Sequence, residues 1–394
     1  MPERAYDRRR ESEQAETNSL KQRLGDEPIK VNRGHMDYAM LLIALVLCSI
    51  GVVMVFSVGF YRTAVSAAHG FDEFYFLRRQ LIWVTMGVAI MIFMANFPYR
   101  VLMKFSFMAY AGANFLCALV PIIGEEINGA RRWIRIGEFQ FQPSELAKIA
   151  IIIMLAYMID RNKDTLKTLT GFFVCCGIVL ATTFLVLLGG LSNALMIALI
   201  GMGIIFIASP HIMRFVTVAL GGALAVFAYI LFSPERFRAE RIDAWLDPSI
   251  SPLGVGFQIN QSLYAIASGG MFGLGIGQSR QKSFLPEAHN DFIFAIICEE
   301  LGLVGAGLII FLFSVLIWRG ISVASKAPDI FSSLTASGIV LMIGGQAIIN
   351  IAVVTNSMPN TGLTLPFISY GGTSLMVTMF LMGVLLNISR YSKD

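Results

Sequence analysis

The sequence predicts an all-α, polytopic integral membrane protein of about ten transmembrane helices. Both termini are expected on the cytoplasmic side, with a long extracytoplasmic loop between helices 7 and 8. Three observations carry this. First, 56% of the 394 residues are hydrophobic and only 14% are charged, against roughly 25% charged in an average soluble domain, and the mean hydropathy is +0.69. Second, 15 of the 56 charges fall within Met1–His35, so the remainder cannot coat a soluble globule. Third, apolar runs of about 20 residues recur, the length needed to cross a hydrocarbon core of roughly 30 Å. A cytosolic enzyme, a nucleic-acid-binding module and a secreted disulfide scaffold are excluded.

Residues 1–35 mix eight basic and seven acidic side chains without apolar periodicity and read as a flexible cytoplasmic tail. The membrane domain is expected over 36–390. Its spans fall at 37–57, 80–97, 101–121, 145–160, 170–188, 193–209, 215–232, 291–318, 333–354 and 367–388. Lipid offers no hydrogen-bond partners, so each is expected to be helical. The first run follows a long polar arm and is itself long enough to span, unlike a cleavable signal peptide. Basic residues of the tail, with Arg100, Lys104, Arg161, Lys163, Lys167, Arg214, Arg319, Lys326, Arg390 and Lys393, mark the cytoplasmic side. No internal repeat or matched pair of broken helices is visible, which weakens a transporter reading. Cys48, Cys117, Cys175, Cys176 and Cys298 lie in apolar stretches and read as small buried hydrophobes. His35, His69, His211 and His289 show no metal-ligand spacing.

The outer loops oppose the usual charge bias. Gly124–Ser144 carries Arg131, Arg132 and Arg135, and the 233–290 loop carries Arg236, Arg238, Arg241, Arg280 and Lys282. Either these pair with Glu125, Glu126, Glu235, Glu240 and Asp243, or they receive an anionic, phosphorylated group. Composition leaves both open. Gly254–Ser279 is rich in Gly and small polar residues and reads as a re-entrant or surface-lying loop rather than a dinucleotide fingerprint. Asn356–Gly362 through Ser369–Ser374 reads as a reverse turn opening the last span, with Ser369 or Thr373 as its N-cap.

Ionisable groups within spans cost on the order of 2.5–3.5 kcal/mol on insertion scales, so each needs a reason. Glu145 and Lys148 share a helix face and can pair, or touch substrate. Glu299 and Glu300 lie about 12–14 Å into the eighth span at 1.5 Å per residue. Being adjacent, they point about 100° apart and are not expected to serve one site together; a structural role inside the bundle is expected. Asp291 stands at the first turn of the same span, at the water–lipid boundary. It either caps the helix or acts as a partly desolvated general base, with Lys282, Glu287 and His289 as ionisable neighbours.

Four strings now bear on the choice: Asn128-Gly-Ala-Arg-Arg-Trp-Ile134, Gln142-Pro-Ser-Glu-Leu-Ala-Lys148, Phe284-Leu-Pro-Glu-Ala-His-Asn-Asp-Phe-Ile-Phe-Ala295 with Glu299-Glu-Leu-Gly302, and Gly362-Leu-Thr-Leu-Pro-Phe-Ile-Ser-Tyr-Gly-Gly-Thr-Ser374. From about residue 36 to the C-terminus the chain resembles the SEDS (shape, elongation, division and sporulation) family. Its wording is more similar to the division and sporulation branches than to the elongation branch. One place departs: many members carry acidic residues between the fifth and sixth spans, whereas this chain reads Leu188-Gly-Gly-Leu-Ser-Asn193. No role of those acids is carried over.

The resemblance implies a peptidoglycan glycosyltransferase of the bacterial cytoplasmic membrane, serving cell-wall biogenesis at the division septum. Its implied substrate is lipid II, its partner a class B penicillin-binding protein, and other divisome membrane proteins are further expected partners. The family's essential Asp matches Asp291, implying a general base for an inverting displacement. Arg132, Arg135, Lys148, Arg241 and Lys282 are candidates for holding the leaving pyrophosphate, and Trp133 for packing on sugar or lipid. Glu145, Gln261, Glu287, His289, Ser369 and Tyr370 complete the candidate substrate contacts. A divalent cation (Mg or Mn) could assist, although no carboxylate cluster marks its site. Two rivals remain: a lipid II flippase, and a non-catalytic scaffold for the penicillin-binding protein.

Overall fold

The computed structural model describes residues 34–64, 72–127, 130–137, 139–211, 213–218, 220–222, 224, 241, 243–248 and 254–392. The chain divides into Met1–Gly34 and His35–Asp394. The expected tail lies outside the described residues except for Gly34 and His35, as do Glu235, Arg236, Arg238, Glu240 and most of the expected seventh span.

The second unit is helical with one small sheet. In chain order it has α1 (Tyr38–Ala64), α2 (Tyr75–Asn96), α3 (Arg100–Ile123), β1 (Glu125–Ile127), β2 (Ala130–Ile136), β3 (Phe139–Phe141), α4 (Pro143–Arg161), α5 (Leu169–Leu187) and α6 (Leu191–Ala208). After the partly described stretch come α7 (Val255–Gly269), a 3-10 turn (Gln281–Ser283), α8 (Ile293–Ser325), α9 (Ile330–Val354) and α10 (Gly372–Ser389). Eight of the described helices are long and apolar enough to cross a membrane. To these α4 adds a ninth candidate: Glu145, Lys148, Asp160 and Arg161 make it the most charged, yet 13 of its 19 residues are buried, so it lies within the bundle. Peripheral α3 buries only Ser106, Ala113, Cys117 and Val120, because its apolar outer face suits lipid as well as a core. All five cysteines are free and buried, as expected.

Local chemistry sets the helix ends. Pro143 opens α4, where its missing N–H is no loss. Thr168 caps α5 by accepting from the Gly171 N–H. Asp329 and Ser332 form a reciprocal capping box on α9.

The ends of the membrane unit meet at one pole of the bundle, in line with the expectation that both termini lie on one side. The Asp37 N–H donates to Ser389 Oγ at 3.1 Å, Arg319 pairs with Asp37 at 2.8 Å, and Arg390 donates to Asn96 Oδ1 at 3.0 Å. Tyr99 there donates to Asp329 at 2.6 Å. This is the basic pole. The opposite pole carries the sheet, antiparallel in the order β1-β2-β3, and the segment that enters α8.

Two expectations are corrected here. Gly254–Ser279 is not all loop: its first part is α7, because its glycines gather at the two ends and leave an amphipathic stretch between them. The remainder does fold back. The N–H groups of Leu274 and Gly275 donate to the carbonyls of Glu299 and Glu300 at 2.9 and 3.0 Å, and those of Leu303 and Val304 to Gly270 and Met271 at 2.9 and 3.1 Å. This backbone pairing serves polar groups freed where α8 breaks at Gly302 (φ 67°). A Cβ at Gly273 (φ 77°) would stand 2.1 Å from the Glu300 carbonyl oxygen, so only glycine admits so close an approach. The second correction concerns Glu299 and Glu300, which do serve one place. The returning loop wraps both: Ser279 Oγ donates to Glu299, while the Ser279 N–H donates to Glu300 at 3.3 Å. Their structural role inside the bundle is as expected.

Candidate functional site

Asp291 lies just outside α8, not in its first turn. The N-cap position is Phe292, without a side-chain cap, so the capping reading is overturned. The reason is the turn before it. Glu287 adopts φ 54°, and its carbonyl accepts the N–H groups of Asn290 at 2.9 Å and Phe292 at 3.5 Å, which delays the helix to Ile293. Asp291 is half-buried as a residue, and among the described residues no hydrogen bond or ion pair engages its carboxylate. Burial, and next the charge of Glu287, push its pKa up to about 7; Arg132 and Arg241 oppose that rise.

These two arginines come from distant segments. Arg132, on β2, donates from Nε to the Gly189 carbonyl at 2.9 Å. It lines a small pocket with Gln142, Ser144, Gly190 and Asn193. That pocket sits where the family's acidic residues are missing from this chain. Arg241 donates from Nη1 to the Asn360 carbonyl at 3.0 Å. Beside it, Trp245 donates to the Asn356 carbonyl at 3.1 Å, and Asn360 Nδ2 donates to Gln258 Oε1 on α7 at 3.1 Å. The 356–363 turn is thereby tied to the segment before α8. At Gly362 (φ 67°) a Cβ would lie 3.2 Å from Asp291 Oδ2, so this turn roofs the carboxylate. Beneath it, Asn350 on α9 donates to the carbonyls of Asp291 and Leu363, both at 2.7 Å.

Other expected residues are placed elsewhere. The Lys282 ammonium is engaged by the Gly277 carbonyl at 2.6 Å and by Glu300 at 3.7 Å, so it braces the folded-back loop. His289 packs at a tilt against Phe76 and Tyr370, at centroid distances of 4.8 and 5.5 Å. Burial raises the Tyr370 pKa against the nearby Arg79 charge. Ser369 is not the N-cap of α10, which is Gly371, nor is Thr373. Instead Ser369 Oγ donates to the Asn290 carbonyl and accepts the Leu365 N–H, both at 2.8 Å, stapling the two segments that flank Asp291. Thr373 lies inside α10 because the tight Gly371–Gly372 entry starts the helix before it. Arg135 pairs with Glu125 at 3.0 Å and Arg131 with Glu126 at 3.6 Å, all exposed; for these two the ion-pair reading of the outer basic residues holds. Glu145 and Lys148 are buried and pair at 2.7 Å. Trp133 is half-buried on β2, and Gln261 half-buried on α7.

Asn350, Gly362, Gln258 and Trp245 were missed by sequence reasoning. An amide four residues before the end of a 25-residue apolar helix is the one signal that could have pointed to Asn350, since a span carries such a group only with a partner.

Fold and site together define a class: a polytopic helical membrane protein whose sheet-bearing pole, the mouth, holds a carboxylate of raised pKa under the charges of two arginines. More closely, the chain belongs to the FtsW/RodA/SpoVE family, described as cell cycle proteins, whose model matches residues 38–394. It is 44% identical to stage V sporulation protein E of Bacillus subtilis over 91% of this chain and 98% of that one. It is 41% identical to the probable peptidoglycan glycosyltransferase FtsW of Geobacter sulfurreducens, over 91% and 96%. Among solved structures it resembles a chain from work on the structural coordination of polymerization and crosslinking by a peptidoglycan synthase complex. There the TM-score is 0.76 at 27% identity, covering 90% of this chain and 98% of that one. The rod shape determining protein RodA of Thermus thermophilus aligns with a TM-score of 0.65 at 26% identity, over 91% and 98%.

Proposed function

We propose that this chain is a peptidoglycan glycosyltransferase that polymerises lipid II at the outer face of the cytoplasmic membrane, with Asp291 as the general base. The relatives' names support the activity. The observation that supports the role of Asp291 is its carboxylate at the mouth, pKa about 7, without a hydrogen bond or ion pair among the described residues.

Lipid II carries its sugar on an α-linked pyrophosphate, and the glycan product is β-1,4-linked. One inverting displacement therefore suffices and no protein nucleophile is needed. The acceptor 4-hydroxyl attacks C1 of the donor and loses its proton to Asp291, while the C1–oxygen bond to the pyrophosphate breaks. A base with pKa near the working pH serves such a transfer well. The leaving pyrophosphate gains negative charge, which preorganised cations stabilise. The charges of Arg132 and Arg241, which act on Asp291, support assigning them this role. Lys148, Arg135 and Lys282 are committed to Glu145, Glu125 and Glu300. A divalent cation does not fit the residues beside Asp291. Glu287 accepts from Asn290 at 2.6 Å, two guanidinium charges bear on Asp291, and among the described residues no three His, Cys, Asp or Glu side chains converge.

A class B penicillin-binding protein is the partner that the likeness to a peptidoglycan synthase complex supports. Placement at the division septum, with other divisome membrane proteins, rests on the division and sporulation names of the relatives. Purified chain incubated with lipid II in detergent, with and without its cognate penicillin-binding protein, is expected to yield glycan resolvable by gel. A flippase would move lipid II across vesicles and yield no polymer.

A further inference from the structure

Asp291 belongs to no helix or strand, so its carboxylate can be held only through the segments around it. Asn350 does the holding from below. It is 1% exposed and sits on α9, whose far end is fixed at the basic pole by the Asp329–Ser332 capping box. Its Nδ2 donates at 2.7 Å to the Asp291 carbonyl and at 2.7 Å to the Leu363 carbonyl. Two carbonyl acceptors on one side-chain atom require an NH₂ group, which alone among uncharged side chains brings two hydrogens from one nitrogen. The amide orientation thus follows from its partners. The two segments it joins are the carboxylate and its roof: Gly362, next to Leu363, leaves only a 3.2 Å clearance between a Cβ position and Asp291 Oδ2.

We propose that Asn350 is a positioning residue for the reaction: its single amide nitrogen sets the distance between the Asp291 segment and the 360–363 turn, and so the direction in which the carboxylate meets the acceptor hydroxyl. The proposal rests on Asp291 being the base. A rigid helix carries the amide, and sites held by such elements are placed more accurately than sites held by loops. Losing the amide removes the one side chain that bonds the Asp291 and Leu363 carbonyls together, while the Ser369 staple stays and no group that touches substrate is lost.

Asn350→Asp keeps the size but sets an oxygen against two carbonyl oxygens. Asn350→Leu keeps the branched shape, adds some bulk and removes the donors. Each is purified beside the parent and Asp291→Asn, with folded protein counted by binding of labelled lipid II, and kcat and KM are measured separately. A misplacement near 1 Å costs roughly 10²-fold, so both Asn350 variants are expected to lose about 10- to 100-fold in kcat with KM within about twofold. Parental kcat per folded molecule in Asn350→Leu, or a loss confined to KM, would overturn the proposal. If Asn350→Asp does not fold, Asn350→Leu decides alone. Parental turnover by Asp291→Asn would instead overturn the base assignment, which separates the two failures.

Discussion

The two poles of the bundle satisfy their polar side chains in different ways. At the basic pole side chain meets side chain: Arg319 with Asp37, Tyr99 with Asp329, Arg390 with Asn96. At the mouth the exposed arginines also form ion pairs, but nearer Asp291 several donors go to backbone carbonyls: Arg132 to Gly189, Arg241 to Asn360, Trp245 to Asn356, and Asn350 to both Asp291 and Leu363. The fields of Arg132 and Arg241 reach Asp291 and hold its pKa below what burial and Glu287 alone would give. Charge at the basic pole holds elements together, whereas the charges of Arg132 and Arg241 also act on the Asp291 carboxylate.

If that contrast is right, substitutions at the mouth change rate, and substitutions of paired charges change stability. The largest effect is expected from replacing Arg132 and Arg241 together by Gln. Removing one preorganised donor from a developing anion costs about 10²–10³ in kcat, so the double variant should lose at least that while its thermal midpoint stays near the parental one. Lys148→Met is expected to behave in the opposite sense. It leaves Glu145 buried and uncompensated, a loss of about 3–5 kcal/mol, read as a lower midpoint in thermal unfolding. Changing Glu145 to Leu as well should recover part of it.

A smaller effect concerns pH. Asp291 must be deprotonated to accept a proton, so the rate should fall as pH drops through about 7. Glu287 raises that pKa, so Glu287→Gln should move the acid limb of the rate profile to lower pH. Arg132 lowers it, so Arg132→Gln should move the limb to higher pH. Least of all is expected from Arg131→Ala. Its pair with Glu126 is 3.6 Å long and exposed, worth about 0–1 kcal/mol, and neither midpoint nor turnover should move measurably. A large loss of turnover there would break the distinction between Arg131 and its neighbour Arg132.

Much of the fold was legible because the bilayer imposes it. Apolar runs marked most spans to within a few residues, and the basic residues gathered the ends of the membrane unit at one pole. Legibility stopped where partners are distant in sequence. Lys282 lies nine residues from Asp291 and eighteen from Glu300, yet it turns to Glu300 because the 270–282 loop folds back along α8. His289 is two residues from Asp291 but turns to Phe76 and Tyr370, since the Glu287 turn points successive side chains in different directions. Helix α7 was hidden by the glycines at its ends. The local pair Glu145–Lys148 was readable from spacing alone. Asp291 was singled out as a lone carboxylate at a boundary, though its freedom from a capping bond came only with the geometry. Arg132 and Arg241, 109 residues apart, could not have been separated from the other outer arginines by composition.

The most direct test compares lipid II polymerisation by the purified parent and by Asp291→Asn across pH 5 to 9. The parent is expected to lose rate as pH falls through about 7, and the Asn variant, folded and still binding lipid II, to make less glycan by about 10²-fold or more at every pH. Glycan made by Asp291→Asn at the parental rate, or a parental rate flat through pH 7, would contradict Asp291 as the base.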